Sequence, residues 1–372
     1  MKNHKSIITL SFLILGYAVA VQAASFNPQG FATFTPHATS SPSPSGSSPG
    51  GLYVLLGNDE AAIPPRALAN PSVDGIALRF SWQALETADG VFNWTSVDTM
   101  IAEAALAGKK VSLSVQAGYL TPPWLYSEGV QSIRFVWDQP SGPAICTVQT
   151  MPVPWDPTFL QKWTAFVQAF GARYNSNPAV AQVKLTGLNS KTQETFLPIA
   201  NGGPINNGQC NSYNDIASWQ AAGYTSIKVE AAWQRIAASF AASFPSKPLT
   251  AMLVPGGFPP LDASGNPIVG QPTDYQVSKD IIATGLATLG TAFIAQNNGL
   301  SSTWVWTPLV QLSKHTTVGF QTVGVMGNKL AATVKLGLAS GGRFLEICFT
   351  DVANPSLQAT LAAAHQSLLA VN

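Results

Sequence analysis

The feature that most constrains this chain is a repeated alternation, from residue 51 onward, of short apolar runs with segments of helical periodicity. Eight runs have the length and composition of buried strands: residues 52–56, 75–80, 110–117, 182–188, 249–254, 303–306, 318–323 and 343–349. Between them, apolar residues recur every three or four positions, as in Val97, Met100, Ile101 and Ala104. Such alternation favours parallel strands joined by right-handed helical crossovers, and eight repeats are the number that closes a barrel.

We therefore predict one α/β domain over residues 51–372, a (β/α)8 TIM barrel. An open doubly wound sheet is the alternative, but neither the G-x-G-x-x-G nor the G-x-x-x-x-G-K-[ST] phosphate loop occurs in the chain. Only about a dozen residues separate Trp306 from Val318, which is too few for a full crossover helix. Either a short turn replaces that helix, or one strand is misplaced.

The first 50 residues are predicted to lie outside the folded domain. Lys2 and Lys5 precede an apolar run that ends at Val21, and a small-x-small cleavage pattern follows, so residues 1–24 are predicted to be a signal peptide. Residues 25–50 form a spacer rich in Ser, Pro and Gly. We expect a secreted or periplasmic protein without a membrane anchor after cleavage, because no second long apolar run follows.

The charge balance excludes nucleic acid as a partner. The chain has 19 basic and 18 acidic residues, with no block of Lys or Arg. Only His315 and His365 follow the spacer, and no Cys-x-x-Cys accompanies them, so we predict neither a metal nor a cofactor. A monomer is expected.

Carboxylates remain as candidates for chemistry at the carboxyl ends of the barrel strands. Glu194 follows the fourth predicted strand, and Glu346 interrupts the apolar run 343–349. A carboxylate inside such a strand is costly unless it is paired or lies at a working cleft. Arg79, which interrupts the run 75–80, could form a purely structural salt bridge with Glu346 or hold a nucleophilic Glu346 ionised.

One stretch of the chain resembles a known family. Arg79-Phe80-Ser81-Trp82-Gln83-Ala84-Leu85-Glu86, Gly90-Val91-Phe92-Asn93-Trp94 and Gly108-Lys109-Lys110-Val111 follow in that order, and Tyr119-Leu120-Thr121-Pro122-Pro123-Trp124-Leu125 continues the pattern. This run is similar to that of TIM-barrel glycoside hydrolases, especially those of family 42 and family 5. The resemblance implies retaining hydrolysis of a glycoside, with one Glu after strand four as general acid/base and another on a late strand as nucleophile.

Carried over position by position, the resemblance makes Glu194 the acid/base, with Asn189 or Gln193 as its polar neighbour, and Glu346 the nucleophile. There are two departures from the family pattern. Gln193, rather than Asn, directly precedes Glu194. The family's nucleophile belongs to strand seven, whereas Glu346 falls on the eighth predicted strand and Gln321 on the seventh. If Gln321 occupies the nucleophile position, the usual mechanism fails.

A sugar ring needs flat apolar platforms with polar edges, which aromatic side chains provide. Several aromatic residues fall near or after predicted strand ends: Trp82, Tyr119, Trp124, Trp137, Trp155 and Trp306. For each of them, packing is as good an interpretation as sugar contact. Trp163 and Trp233 have helical spacing and are assigned to the core.

The three cysteines divide into a pair and a single thiol. Cys146 and Cys210 lie in long excursions after strands three and four, which are neighbours in a barrel, so we predict a disulfide between them and a buried free thiol at Cys348. Two functions remain open. The chain is either a secreted glycoside hydrolase acting on an oligo- or polysaccharide, or a barrel that binds carbohydrate and has lost the catalytic pair.

Overall fold

A computed structural model describes residues 49–139 and 142–371. The predicted signal peptide, and the predicted spacer apart from residues 49 and 50, lie outside the described residues. Within the described part of the chain, no helix is long and apolar enough to cross a membrane.

Eight parallel strands close into a barrel in chain order, and the last strand pairs with the first. The strands are β1 (Gly51–Asn58), β2 (Gly75–Ser81), β3 (Lys110–Gln116), β4 (Val180–Leu185), β5 (Leu249–Met252), β6 (Phe293–Leu300), β7 (Thr317–Thr322) and β8 (Gly342–Cys348). The prediction of a (β/α)8 barrel is confirmed.

One helix follows each strand: α1 (Pro65–Ala69), α2 (Thr95–Leu106), α3 (Pro157–Tyr174), α4 (Ser226–Ser243), α5 (Tyr275–Leu289), α6 (Thr307–Leu312), α7 (Leu330–Ala339) and α8 (Gln358–Val371). Shorter helices are Trp82–Leu85, Pro123–Ser127, Asp215–Ala221 and Phe349–Val352, and 3-10 turns are Gly118–Leu120, Gly290–Ala292, Gly327–Lys329 and Pro355–Leu357. Side chains in the sequence fix several helix starts. Asp156 caps α3 and Asp274 caps α5, each accepting two backbone N–H groups.

The excursions between strands and helices carry three small antiparallel hairpins. They pair Glu86–Ala88 with Val91–Phe92, Ser132–Val136 with Val148–Pro152, and Pro204–Ile205 with Cys210–Asn211. The second and third belong to the long segments after β3 and β4, so these segments are ordered by their own strand pairing as well as by contact with the barrel.

The predicted position of the sixth strand is wrong. Residues 303–306 precede α6, and the strand is Phe293–Leu300. The polar run Gln296-Asn297-Asn298 hides this strand from a search for apolar runs, because Gln296 hydrogen bonds inside the barrel and Asn297 donates to the Leu253 carbonyl oxygen at 2.9 Å. The short spacing noted after Trp306 therefore reflects a misplaced strand and the short helix α6.

The core has an aromatic outer layer between the strands and the helices. Trp82, Trp163 and Phe166 pack there with ring centroids 5.0–5.9 Å apart. Trp163 and Trp233 are both buried, as their helical spacing predicts. Since the helices cover the outside of the barrel with apolar side chains, chemistry is left to the lumen and its open end.

Candidate active site

Register and contacts show which side chains face the barrel lumen. Tyr53, Ile294 and Phe344, from β1, β6 and β8, form a cluster of their own. Because β1 and β6 are not neighbours, these residues meet across the lumen. Strand alternation then turns Glu346 and Cys348 to the same side as Phe344, one and two layers nearer the carboxyl end of β8.

Glu346 lies in a buried polar layer that we call the lumen layer, formed by Glu346, Lys184, Gln296 and Ser112. The Lys184 Nζ lies 2.7 Å from Glu346 Oε1, and both side chains are at most 3% exposed. Gln296 donates to Glu346 Oε2 at 2.8 Å, and Ser112 donates to Oε1 at 3.4 Å. Burial lowers the pKa of Lys184, and the negative charge of Glu346 opposes that shift. The negative charge of Glu346 is thus balanced by Lys184 on β4, and its carboxylate also accepts hydrogen bonds from Gln296 on β6 and Ser112 on β3.

Arg79 does not form the salt bridge that was considered for Glu346. Among the described residues the ion partner of Glu346 is Lys184, a residue that the sequence analysis did not single out. The Arg79 Nε donates instead to the Leu56 carbonyl oxygen at 2.6 Å. Burial lowers the pKa of Arg79, while the negative charges of Glu346 and Glu194 raise it, as do those of Cys348 and Glu60. Arg79 therefore lies within electrostatic reach of all four groups.

The open end above the lumen layer, which we call the mouth, is lined by Asn58, Arg79, Gln116, Gln321, Cys348 and the loop that carries Glu194. Glu194 is half-buried and accepts a hydrogen bond from the Thr192 hydroxyl. Gln321 on β7 is also half-buried and lies in register with Glu346 on β8. The mouth thus holds a solvent-accessible carboxyl group that the lumen layer lacks.

Asn189 shapes the loop that carries Glu194. Its Oδ1 accepts from the Gly187 N–H at 2.9 Å, and its Nδ2 donates to the Thr192 carbonyl oxygen at 3.0 Å. Thr195 then joins the sheet, donating its N–H to the Met252 carbonyl oxygen at 2.8 Å. Because Asn189 is buried and both ends of its amide are engaged, we assign it to holding the loop rather than to contact with a ligand.

Gln193 connects the same loop to the other side of the mouth. Its Nε2 donates to Asn58 Oδ1 at 3.3 Å, and Asn58 donates to Gln116 Oε1 at 3.0 Å. Gln116 is 1% exposed, and its Nε2 has no protein partner among the described residues. This chain of amides joins the ends of β1 and β3 to the loop after β4.

Trp82, which was predicted to contact a substrate, lies in the protein interior. The side chain is fully buried, and its Nε1 donates to Glu86 Oε2 at 2.6 Å. Glu86 also accepts the Gly90 N–H at 2.8 Å, and burial raises the pKa of this carboxyl group. The Trp82 and Glu86 of the family-like run therefore form a structural unit under the loop after β2.

The other predicted platforms are also largely engaged in packing. Trp124 is half-buried and donates its Nε1 to the Glu86 carbonyl oxygen at 3.0 Å. Trp137 is 2% exposed and packs against the half-buried Tyr119 with ring centroids 4.9 Å apart. Trp155 packs against Trp219, and Trp306 lies half-buried against the core. Tyr119 and Trp306 retain some exposed surface.

Trp304, which the sequence analysis missed, is the most exposed tryptophan of the described residues, at 43%. It follows β6, and its backbone is fixed by hydrogen bonds with Ser301, while its ring lies over Gly299. Val323, after β7, is 62% exposed and donates its N–H to the Leu300 carbonyl oxygen. The Trp304 ring thus provides an exposed aromatic surface beside the ends of β6 and β7. The sequence analysis missed it because residues 303–306 were predicted to be a strand.

The predicted disulfide is confirmed. Cys146 and Cys210 are bonded, with their Cα atoms 5.7 Å apart, and so tie the excursion after β3 to that after β4. A salt bridge of 2.7 Å between Lys191 and Asp138 joins the same two segments. Cys348 is free, as predicted, but it is partly exposed at the mouth rather than buried. Desolvation raises the pKa of its thiol.

Other parts of the described chain offer no comparable chemistry. Within them, no group of three or more His, Cys, Asp or Glu residues could hold a metal ion. His315 is exposed, and His365 pairs with Asp74 at 2.9 Å on the outside of the barrel. Two surface clefts lie between α3 and α4 and between α7 and α8, and no acidic side chain lines either one.

Comparison with known sequences agrees with the resemblance in the N-terminal half of the barrel. Residues 67–190 match the glycoside hydrolase family 42 model, described as β-galactosidase. That segment is about a third of the chain and stops before Glu194. No curated protein sequence matches the chain significantly.

Solved structures extend the similarity to most of the chain. The β-galactosidase of the psychrophilic Marinomonas ef1 is 12% identical with a TM-score of 0.51, over 85% of this chain and 59% of that one. The β-galactosidase of the Antarctic haloarchaeon Halorubrum lacusprofundi is 14% identical with a TM-score of 0.48, over 86% and 58%. The chain thus spans about three-fifths of the length of these enzymes. Its fold is similar to that of TIM-barrel glycoside hydrolases.

Proposed function

We propose that this protein is a secreted or periplasmic glycoside hydrolase that cleaves O-glycosidic bonds of an oligo- or polysaccharide at the mouth. The observation that carries the proposal is the position of Glu194, a partly exposed carboxyl group on the loop after β4 of a closed (β/α)8 barrel. The match of residues 67–190 to a β-galactosidase family supports it and suggests β-galactosides as the first substrates to test.

Glycoside cleavage needs one group that protonates the leaving oxygen and one anionic group that assists attack at the anomeric carbon. Glu194 is the proton donor in this proposal. Its loop is fixed from both ends by Asn189 and by the Thr195 contact with β5, and the Gln193 amide bonds to Asn58. A fixed loop holds the acid in place, as proton transfer at a defined oxygen requires.

The retaining mechanism expected from the resemblance would use Glu346 as nucleophile. In its present surroundings Glu346 is 2% exposed and paired with Lys184, so attack would first require separation of a buried ion pair. We therefore assign Glu346 a supporting role, in which it fixes Lys184 and contributes negative charge beneath Arg79.

A screen of aryl glycosides and polysaccharides, beginning with β-galactosides, tests the function. For an active substrate, we expect Glu194→Gln to lower kcat by about 10²–10⁴-fold while the melting temperature and ligand affinity stay unchanged. Glu103→Gln on α2, remote from the mouth, is the matched control and should keep full activity. Wild-type turnover by Glu194→Gln would remove Glu194 from the mechanism.

Carbohydrate binding without cleavage is the second candidate function. It is favoured by Gln321 on β7, where the family resemblance expects a nucleophile, together with the pairing of Glu346. This candidate predicts that the unmodified protein binds oligosaccharides in calorimetric titrations yet turns over no glycoside in the screen. Turnover that disappears in Glu194→Gln would exclude it.

A further inference from the structure

The proposed reaction needs a second carboxyl group besides Glu194, and the lumen layer does not supply a reactive one. Glu194 supplies a proton, but Glu346 is neutralised by Lys184 and hydrogen bonded by Gln296 and Ser112. Cys348, rather than Glu346, forms the lumen-facing end of β8 at the mouth. An anionic partner for Glu194 has to come from another strand.

Glu60, directly after β1, is an exposed acidic residue beside the mouth. The neighbouring Asp59 holds the segment in place, since its N–H donates to the Arg79 carbonyl oxygen at 2.9 Å and its Oδ1 accepts the Ser81 N–H at 2.8 Å. Glu60 then turns back, so that its carboxylate lies against Gly57 in the space that a side chain there would occupy. The carboxylate is therefore placed over the end of β1.

The loop of Glu194 meets the end of β1 directly. Gln193, immediately before Glu194, donates to Asn58, two residues before Glu60. Arg79, paired in register with Asn58, is within electrostatic reach of both carboxylates. The segment that carries Glu60 and the loop that carries Glu194 therefore adjoin at the mouth.

Two buried polar groups, one at the end of β3 and one in the loop before Glu194, have no protein partner among the described residues. Gln116 is held by Asn58 through its Oε1, and its Nε2 is free of protein partners. Ser190, in the loop before Glu194, is fully buried and its hydroxyl likewise has none among the described residues. Buried donors of this kind suit the hydroxyl groups of a sugar ring, because an unsatisfied buried polar atom is costly.

We propose that Glu60 is the second catalytic carboxylate, acting as general base opposite Glu194; this assignment rests on the proposed glycosidase function. Glu194 donates its proton to the glycosidic oxygen as the bond from that oxygen to the anomeric carbon breaks. A water oxygen bonds to the anomeric carbon, and its proton passes to Glu60. Both products carry hydroxyl groups, and solvent returns the Glu60 proton to Glu194.

The proposed role of Glu60 as a general base implies inversion of the anomeric configuration. Water attacks the anomeric carbon in a single displacement and no covalent intermediate forms, whereas retention needs a carboxylate nucleophile ~5–5.5 Å from the acid. Glu60 and Glu194 therefore predict a product of inverted configuration, in contrast to the retention expected for Glu194 with Glu346.

The first test compares three variants on the best substrate of the screen. We expect Glu60→Gln and Glu194→Gln each to lower kcat by more than about a hundredfold with unchanged oligosaccharide affinity and melting temperature, and Glu103→Gln to have no effect. NMR of the first product formed should show the inverted anomer. Full activity of Glu60→Gln, or a retained anomer, would overturn the assignment.

A second test moves the Glu60 carboxylate without removing it. At Gly57, the three nearest atoms that an added Cβ would meet all belong to Glu60, so Gly57→Ala should lower kcat only through Glu60. We expect Gly57→Ala/Glu60→Gln to be no slower than Glu60→Gln alone. Gly324→Ala, which meets no atom within 4 Å, is the control. Additive losses would show that Gly57 acts independently of Glu60 and would overturn the assignment.

The two levels of failure can be distinguished. If the unmodified protein cleaves no glycoside in the whole screen, the glycosidase proposal fails and the Glu60 assignment fails with it. If the unmodified protein is active and only Glu194→Gln is slow, the glycosidase proposal stands and the Glu60 assignment alone is wrong.

Discussion

The lumen layer and the mouth are adjacent parts of one barrel that treat carboxylates in opposite ways. In the lumen layer, Glu346 is 2% exposed and paired with Lys184. At the mouth, Glu194 is half-buried and Glu60 is exposed, and Arg79 lies within electrostatic reach of both. The buried Glu346 is matched by a fixed cation, which lowers its reactivity, whereas a carboxylate at the solvent boundary can exchange protons. Depth therefore separates the structural carboxylate Glu346 from the two carboxylates that we propose to be catalytic.

The largest expected effect is a loss of stability when the Lys184–Glu346 ion pair of the lumen layer is broken. Lys184→Met leaves the Glu346 charge buried and unpaired, so we expect urea unfolding to show a loss of about 3–5 kcal/mol of stability. Lys335→Met, on the exposed face of α7, is the control and should change stability by less than about 0.5 kcal/mol. A loss no larger than that of the control would show that the ion pair is not essential to the lumen layer.

A double substitution tests whether the unpaired charge of Glu346 causes the loss of stability in Lys184→Met. In Lys184→Met/Glu346→Leu both charges are gone and the lumen layer becomes apolar. We expect this variant to be more stable than Lys184→Met, because replacing a whole buried pair is often neutral or stabilising. The same urea titrations measure it. If the double variant is the weaker of the two, Glu346 stabilises the barrel through Gln296 and Ser112 without Lys184.

The disulfide joins two loops at the mouth. These loops need cross-links to be ordered, whereas the lumen layer is held by the barrel strands. Cys146 and Cys210 close a loop with a sequence separation of 64 residues. We expect Cys146→Ser/Cys210→Ser to lose about 2–4 kcal/mol under oxidising conditions, as measured by denaturant unfolding. Cys348→Ser, which removes a free thiol, should leave the value nearly unchanged. Equal stability of the double variant and the wild type would mean that hydrogen bonds alone order these loops.

Asp215, also in the excursion after β4, makes stability depend on pH. Burial raises its pKa from 3.8 to about 6, although the Ala200 N–H and Lys191 lower it and Asp138 raises it further. The native state therefore binds the proton more tightly than the unfolded state. The stabilisation is complete below the unfolded pKa and is lost as the pH rises through about 6.

The Asp215→Asn variant tests how much stability is lost when Asp215 ionises. Asn cannot ionise and can still accept the Ala200 N–H, which Asp215 accepts at 2.8 Å. We expect the variant to be about 1–3 kcal/mol more stable than the wild type at pH 8 and equal to it at pH 3. Thermal melts across this range measure the difference. A difference that does not vary with pH would contradict the assigned protonation.

The smallest expected effect concerns the aromatic face beside the mouth. If Trp304 serves as a platform for a sugar ring, Trp304→Ala should weaken oligosaccharide binding by about 1 kcal/mol, or roughly fivefold in Kd. Ile227→Ala, at an exposed apolar position of α4, is the matched control. Calorimetric titration distinguishes them, and an unchanged Kd for Trp304→Ala would confine sugar contacts to the polar part of the mouth.

The fold was predictable from the sequence wherever strands are apolar, and it was missed where a strand carries polar function. The run Gly75–Ser81 was found despite Arg79, because its other residues are apolar or small. Phe293–Leu300 was overlooked because Gln296, Asn297 and Asn298 break its apolar pattern. Those amides bond inside the barrel or to β5, which no local pattern encodes.

The candidate site was predictable only in part for the same reason. Glu194 could be placed after the fourth strand from the chain alone, and the long excursions on neighbouring strands were enough to pair Cys146 with Cys210. The burial of Trp82 was not predicted, because nearness to a strand end does not tell which way a side chain turns. Glu60 was overlooked because nothing around it in the sequence distinguishes it from an ordinary surface residue.

The sequence by itself determined seven of the eight strands and hence the class of fold, since periodicity is a local property of the chain. Only the tertiary structure decided that Glu346 pairs with Lys184 rather than Arg79, and that Asn58 at the end of β1 meets the loop of Glu194. Those neighbours come from strands far apart along the chain, and their meeting depends on how the barrel closes and in which register. Burial, charge pairing and proton exchange follow from that closure.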